Sequence, residues 1–381
     1  MKPIYLDHAS TTKLNEEVLK EMMPYLRDQF ENPSSLYEAA INNKKAINQS
    51  RKKVSEIINA KPSEVYFTSG GSEANNWALK GVAFSYTEKK EIITTPIEHH
   101  SISHTVTFLE SIGYTIHYLN VDEEGFIDLN HLEQLINKDT LLVSVIMANN
   151  EIGTIQDIKS VHSICKIHDV LLHVDAVQAI CHIPVDVQGL GVDLLSFSAH
   201  KFYGPKGIGC LYVKDGIEIE NLIHGGKQEQ GIRSGTENVA GIVGMAKAME
   251  IKIHNMTEES ERQIKMASYL YNRLRNSIEQ VKLNGPKIGS KRRLPGNINL
   301  SFKDVDASIM CFILNKKGIY ISTGSACNSG AIEPSHVLKA INVPDDFIEG
   351  SIRISLGEAT TKREIDVFCD EVIELIENDL V

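Results

Sequence analysis

The sequence predicts an α/β protein with a large domain built on a mostly parallel sheet and a smaller α+β domain. From about Ile92 to Val213, short β-branched runs alternate with longer helical patterns, the signature of βαβ units. Several of those runs are almost wholly apolar, as strands covered on both faces should be. After about Asn255 the order of elements changes, and 381 residues exceed one ordinary domain.

Taken in order, a strand ends at Phe67-Thr68, a glycine pair follows, and a helical pattern begins after Ser72. Further strands are expected at Ile92–Thr95, Thr115–Leu119, Leu141–Met147, Leu171–Val174, Asp193–Phe197 and Ile208–Val213. A long helix is expected from Thr257 to about Val281, then strands at Asn297–Phe302 and Ser351–Ile354 and two further helices. The last helix starts near Thr361, where Thr361 and Glu364 form a capping box and Ile365, Phe368, Val372 and Ile376 form one apolar stripe. The basic clusters Lys44-Lys45, Arg51-Lys52-Lys53 and Lys291-Arg292-Arg293 read as solvated faces or loop edges.

Composition narrows the function. Apolar types make up 42% and charged types 23%, which excludes disorder as the dominant state. Thirty-nine basic against fifty acidic side chains give −11, a charge with no diffuse attraction for nucleic acid or anionic lipid. No apolar run approaches the roughly 18–20 residues of a membrane span, and the start has no signal-peptide pattern, so a soluble, cytoplasmic protein is expected. The six cysteines are scattered without paired spacing, which argues against disulfides and a structural zinc site.

In open α/β sheets, ligands sit beyond the carboxyl ends of strands. Lys201, in Ser198-Ala199-His200-Lys201, follows a buried-looking strand; it is either a lysine that snorkels to water or an amine able to form a Schiff base with an aldehyde cofactor. Asp175, at another strand end with Gln178 three residues on, is either a helix N-cap or the carboxylate that keeps a pyridinium nitrogen protonated. Ser69-Gly70-Gly71-Ser72 is either an ordinary capped turn or a phosphate cradle at a helix N-terminus, and Arg233-Ser234-Gly235-Thr236 could supply a second phosphate edge. Glu98-His99-His100 looks like a metal cluster, but adjacent side chains diverge and no third ligand is near, so no metal is expected. A histidine here can instead stack on a flat cofactor and act as acid or base. Cys327 lies among small, flexible residues, unlike the other five cysteines, and is the candidate thiolate. Arg353, on an apolar strand, either grips a substrate carboxylate or forms a structural ion pair.

Jointly, Tyr5-Leu6-Asp7-His8-Ala9, Ser69-Gly70-Gly71-Ser72-Glu73, Glu98-His99, Asn149-Asn150-Glu151-Ile152-Gly153, Asp175-Ala176-Val177-Gln178, Ser198-Ala199-His200-Lys201 and Gly324-Ser325-Ala326-Cys327 closely resemble the cysteine desulfurases of the NifS/IscS group, over nearly the whole chain. The resemblance implies a fold-type I pyridoxal 5'-phosphate enzyme of the class V aminotransferase family, with a seven-stranded sheet, acting as a homodimer. It implies a large cofactor-binding domain over residues 15–255 and a small domain over 256–381, completed by 1–14, that carries the cysteine loop. By motif, Lys201 would hold the cofactor, Asp175 would pair with its ring nitrogen, Gln178 would contact its phenolic oxygen and His99 would stack on the ring. Gly71, Ser72, Ser198, His200 and, from the neighbouring subunit, Thr236 would hold the phosphate. Asn150 and Arg353 would face the carboxylate of the L-cysteine substrate, and Cys327 would accept its sulfur. The sulfur would pass to an acceptor protein, an iron–sulfur scaffold or a tRNA-thiolation enzyme. Asn328 stands where the family pattern has Thr, and Glu31 to Ala40 lacks the usual Gly, His and Gly. Two rivals share much of this machinery: another enzyme of the same scaffold, such as an aminotransferase or selenocysteine lyase, and a non-catalytic partner-binding homologue.

Overall fold

The computed structural model describes residues 3–323 and 334–381. In chain order, β1 (Ile4–Tyr5), α1 (Glu16–Arg27), α2 (Glu38–Ile57), β2 (Val65–Thr68), α3 (Gly71–Ser85), β3 (Glu91–Thr94), α4 (His100–Ser111) and β4 (Thr115–Tyr118) lead into the first half. It is completed by α5 (Leu129–Leu135), β5 (Thr140–Ile146), α6 (Ile158–Ile167), β6 (Leu171–Asp175), α7 (Val187–Leu190), β7 (Leu194–Ser198) and β8 (Gly209–Val213). The long α8 (Val239–Ser277) precedes β9 (Val281–Leu283), β10 (Asn297–Phe302), α9 (Ala307–Lys316), β11 (Ile319–Tyr320) and β12 (Ser322–Thr323). Last come α10 (His336–Ala340), α11 (Asp345–Ile348), β13 (Ser351–Ser355) and α12 (Lys362–Glu377).

The large sheet has seven strands in the order β2-β8-β7-β6-β5-β3-β4, and β8 runs antiparallel to both of its neighbours while the other pairs are parallel. Because a strand's side chains alternate between faces, neighbouring residues enter different cores. Ile92, Leu142, Leu194 and Leu211 pack against α3 and α4, whereas Ile93, Val143, Leu195 and Tyr212 pack against the layer containing α6 and the first half of α8. Both faces are covered, which is why these strands read as apolar runs. A polar line crosses the sheet, with His173 paired to Ser144 Oγ at 2.9 Å and to Ser196 Oγ at 3.0 Å.

The second sheet, β12-β13-β10-β9, is antiparallel, and with α9, α12, the end of α8 and Leu6 it encloses a separate apolar core. The last helix is capped as its sequence predicts: Thr361 Oγ1 accepts the Glu364 N–H, and the Glu364 carboxylate accepts the Thr361 N–H.

Three expectations are corrected. The long helix begins at Val239 rather than Thr257, because Asn238 caps it by accepting the Gly241 N–H, and Val281 belongs to a strand. Arg51 is not on a solvated face: its guanidinium is buried and bidentate to Glu229 at 2.8 Å, and that carboxylate also accepts the Phe67 N–H. Arg293 is buried as well, donating to the carbonyls of Asn297, Asn284 and Pro286. Among the described residues no helix is long and apolar enough to cross a membrane.

Candidate active site

The carboxyl ends of β2, β3, β5, β6 and β7 open onto one cavity of about 270 Å³. It is lined by Gly71, Ser72, His99, Asn150, Asp175, Gln178, Ser198, His200, Lys201 and Arg353, so ten of the twelve sequence-predicted site residues meet there. Thr236 does not; it lines a neighbouring cavity of about 170 Å³ beside Ser69 and Gly207. Cys327, with Asn328, lies outside the described residues.

Each side chain is placed by the end of its element. Lys201 leaves the short 3₁₀ turn Ala199–Lys201 after β7, and its Nζ donates to the carbonyls of Ala9 and Ser10 at 2.7 and 2.8 Å. Asp175 is the last residue of β6 and is buried. Its carboxylate accepts the Val177 N–H at 2.9 Å and the Asn75 amide at 2.7 Å. Burial pushes the Asp175 carboxyl above its ordinary value, opposed by those two hydrogen bonds and by the nearby Lys201 charge. Asp175 is not a helix N-cap, because the next helix, α7, starts at Val187 and is capped by Asp186; one oxygen holds the following turn while the carboxyl lines the cavity.

Gly71 starts α3, where free N–H groups gather. A Cβ there would come within 2.7 Å of Val177 Cγ2 and 3.6 Å of Ser198 Cβ, so only glycine leaves this cradle open. His200 Nδ1 pairs with Thr11 Oγ1 at 3.1 Å. Burial and the Lys201 charge lower both His99 and His200 to about 4, leaving both rings neutral near pH 7.

Glu98, His99 and His100 diverge as expected of neighbours. Glu98 accepts from Thr95 Oγ1 and the Ile146 N–H, and burial pushes its carboxyl up to about 8. His99 caps α4, and the His100 ring lies 5.0 and 4.9 Å from those of His104 and His336. Among the described residues no group of three His, Cys, Asp or Glu side chains is arranged to hold a metal. Four of the other cysteines, Cys165, Cys181, Cys210 and Cys369, are buried, and burial raises each thiol.

Arg353, on β13, brings the second sheet to the cavity. Its Nη2 donates to Asp7 Oδ1 and Ser10 Oγ at 2.7 Å and its Nη1 to the Asn150 carbonyl at 3.3 Å, so it is at once an ion pair and a lining residue. Gln178 Nε2 donates to the Ala9 carbonyl at 2.8 Å. The sequence reading missed Asn75 and Ser101, which also line the cavity. The available signal was periodic, since Asn75 lies four residues after Gly71, one helical turn along the same face.

The class V aminotransferase model matches residues 4–368. This chain belongs to that family, in its NifS/IscS group. Curated relatives named cysteine desulfurase IscS are 49% identical in Clostridium botulinum (strain Hall) and in Dictyoglomus turgidum. The first match covers 98% of this chain and 94% of the relative, and the second 99% and 95%. A solved NifS-like protein superposes with a TM-score of 0.92 at 40% identity, over 98% of this chain and 99% of that one. The structure described as SspA in complex with cysteine gives a TM-score of 0.82 at 37% identity, over 93% and 98%.

Proposed function

We infer that the protein is a cysteine desulfurase that binds pyridoxal 5'-phosphate and converts L-cysteine to L-alanine while moving the sulfur to Cys327. The observation that carries this reading is the meeting of the Lys201 amine, the buried Asp175 carboxylate and the Gly71 cradle in one cavity. That set fits the group: an amine for the aldehyde, an acid for the ring nitrogen and a helix N-terminus for the phosphate. When bound, pyridoxal phosphate supplies the aldehyde and an electron-withdrawing ring that makes the substrate Cα–H acidic and its Cβ–S bond labile.

The chain's own residues do the rest. Lys201 would hold the cofactor through its amine and, when free, could move a proton at the substrate Cα. Asp175 would hold a proton at the ring nitrogen, Gln178 would meet the phenolic oxygen and His99 would cover one face. Gly71, Ser72, Ser198 and His200 would hold the phosphate, with Thr236 reaching it from a neighbouring copy. Asn150 and Arg353 would receive the substrate carboxylate. Cys327 would break the substrate Cβ–S bond by taking the sulfur, so that cysteine and the enzyme thiol become alanine and an enzyme persulfide. The working unit is a homodimer, a reading supported by the exposed apolar side chains Leu26, at the end of α1, and Phe30, Leu36 and Tyr37, between α1 and α2. The large domain spans 15–255 and the small one 256–381 with 1–14. The enzyme works in the cytoplasm and hands its sulfur to an iron–sulfur scaffold or a tRNA-thiolation enzyme.

The test compares the parent with Cys327→Ala and Lys201→Ala, following alanine and persulfide formed from L-cysteine. The parent is yellow and loses that absorbance on borohydride reduction. Cys327→Ala stays yellow but forms no persulfide, and Lys201→Ala loses about 10²–10⁴ of the rate. Sulfide release by Cys327→Ala at the parent rate would overturn the sulfur-acceptor role and favour the rival enzymes of this scaffold.

A further inference from the structure

Nδ1 of His99 is held by a chain of hydrogen bonds whose direction is fixed. Nδ1 lies 3.1 Å from the Ser101 backbone N–H and 2.8 Å from Ser101 Oγ. A backbone N–H can only donate, so Nδ1 must present its lone pair and carry no proton. Asn75 Nδ2 reaches Ser101 Oγ at 2.8 Å and Asp175 Oδ2 at 2.7 Å. An amide nitrogen also only donates, which makes Ser101 Oγ the acceptor there and frees its own hydrogen for Nδ1. The polarity therefore runs from Asn75 through Ser101 to His99, and the same amide grips Asp175 with its second hydrogen.

We propose that Asn75 and Ser101 are positioning residues that lock His99 as the tautomer with its proton on Nε2, and that Asn75 ties the orientation of this ring to that of the Asp175 carboxylate. The partner of one imidazole nitrogen decides what the other presents, so Nε2 of this cavity-lining residue carries the N–H. With two donors on Nδ1 the ring cannot pass a proton from one nitrogen to the other. Neutral His99 then acts by hydrogen-bond donation and by covering the ring, and stays unprotonated on Nδ1 near pH 7. Burial and the neighbouring Lys201, His100, His336 and His104 all disfavour a second proton on the ring. Asn75 is 1% exposed, so water does not replace it.

This inference rests on the desulfurase reading, and its test separates the two. The holoenzyme labelled with ¹⁵N-histidine is observed by long-range ¹H–¹⁵N correlation between pH 6 and 8, with His99→Gln used to assign the ring. The expected result is an unprotonated Nδ1 and a protonated Nε2 across that range. Ser101→Ala removes the shorter of the two donors and leaves Nδ1 only the longer backbone N–H contact, so the Nδ1–H tautomer becomes populated in part and a new ionisation enters the kcat profile. Its kcat falls by an amount between about 10-fold and the ~10⁴-fold that a wrong tautomer can cost, with KM little changed. Ser101→Thr, which keeps the hydroxyl, restores the parent spectrum. A protonated Nδ1 in the parent, or an unchanged spectrum and pH profile in Ser101→Ala, overturns the proposal even if alanine is still formed. An Nε2–H ring in a protein that forms no alanine from cysteine would leave the tautomer lock standing and sink the desulfurase reading instead.

Discussion

Arg353 carries its own carboxylate into the cleft, because Asp7 and Ser10 already occupy Nη2, while Nε has no partner among the described residues. A substrate carboxylate must therefore share or displace a contact already made. Hydrogen bonds to charged groups contribute about 1.5–3 kcal/mol each. Arg353→Lys, which lacks the planar fork, should raise KM for cysteine by roughly 10- to 100-fold and change kcat less, as read from steady-state alanine formation. At this scale legibility followed locality. Lys201 and Asp175 could be found because a charged side chain at the end of an apolar run is conspicuous in one dimension. Arg51 was misread because it sits in a run of cations, and its partner Glu229 is 178 positions away. Asn75 and Ser101 were invisible because their meaning lies in which way hydrogens point between two helices.

The strands of the large sheet were readable to within a residue or two, since covering on both faces leaves continuous β-branched runs. The start of α8 was not, and glycine is the reason. Glycine ordinarily disfavours a helix interior, yet in the fold Gly244 lets α8 lie close to α1. A Cβ on Gly244 would come within 2.6 Å of Met22 Sδ and 3.1 Å of Pro205 Cγ. Gly244→Val should destabilise the protein by about 1–3 kcal/mol through overpacking, measured as a lower urea midpoint with an unchanged slope. The capping box at Thr361 was legible for the opposite reason, since both partners lie within one turn. The loop bearing Cys327 was marked in sequence by composition alone, and its geometry falls outside the described residues.

For the molecule as a whole, buried titratable groups set a pH window. Burial lowers His8 and His182 to about 4 and His173 to about 3, so between pH 6.5 and about 4 the unfolded chain binds protons that the folded chain refuses. Their share of stability is complete above 6.5 and is lost as the pH falls. Glu98 has the opposite sign: raised to about 8, it keeps its proton in the folded state after the unfolded chain has released it near 4.5, so its share is lost as the pH rises toward 8. Three histidines outweigh one carboxyl on the acid side, and above 6.5 only the carboxyl slope remains of these four. Stability should therefore peak near pH 6.5, fall steeply on acidification and fall gently toward pH 8. Urea midpoints measured at half-unit steps from pH 4.5 to 9 check this, and His173→Gln should flatten the acid limb.

The 39 residues of α8 reach about 58 Å without a break. Their first half is embedded in the core beneath the large sheet and their last turns in the core of the smaller one. A rod anchored at both ends is a beam rather than a hinge. Opening and closing of the cleft must then come from bending along its length or slipping at its sockets, and heat that loosens either socket will be felt at the other.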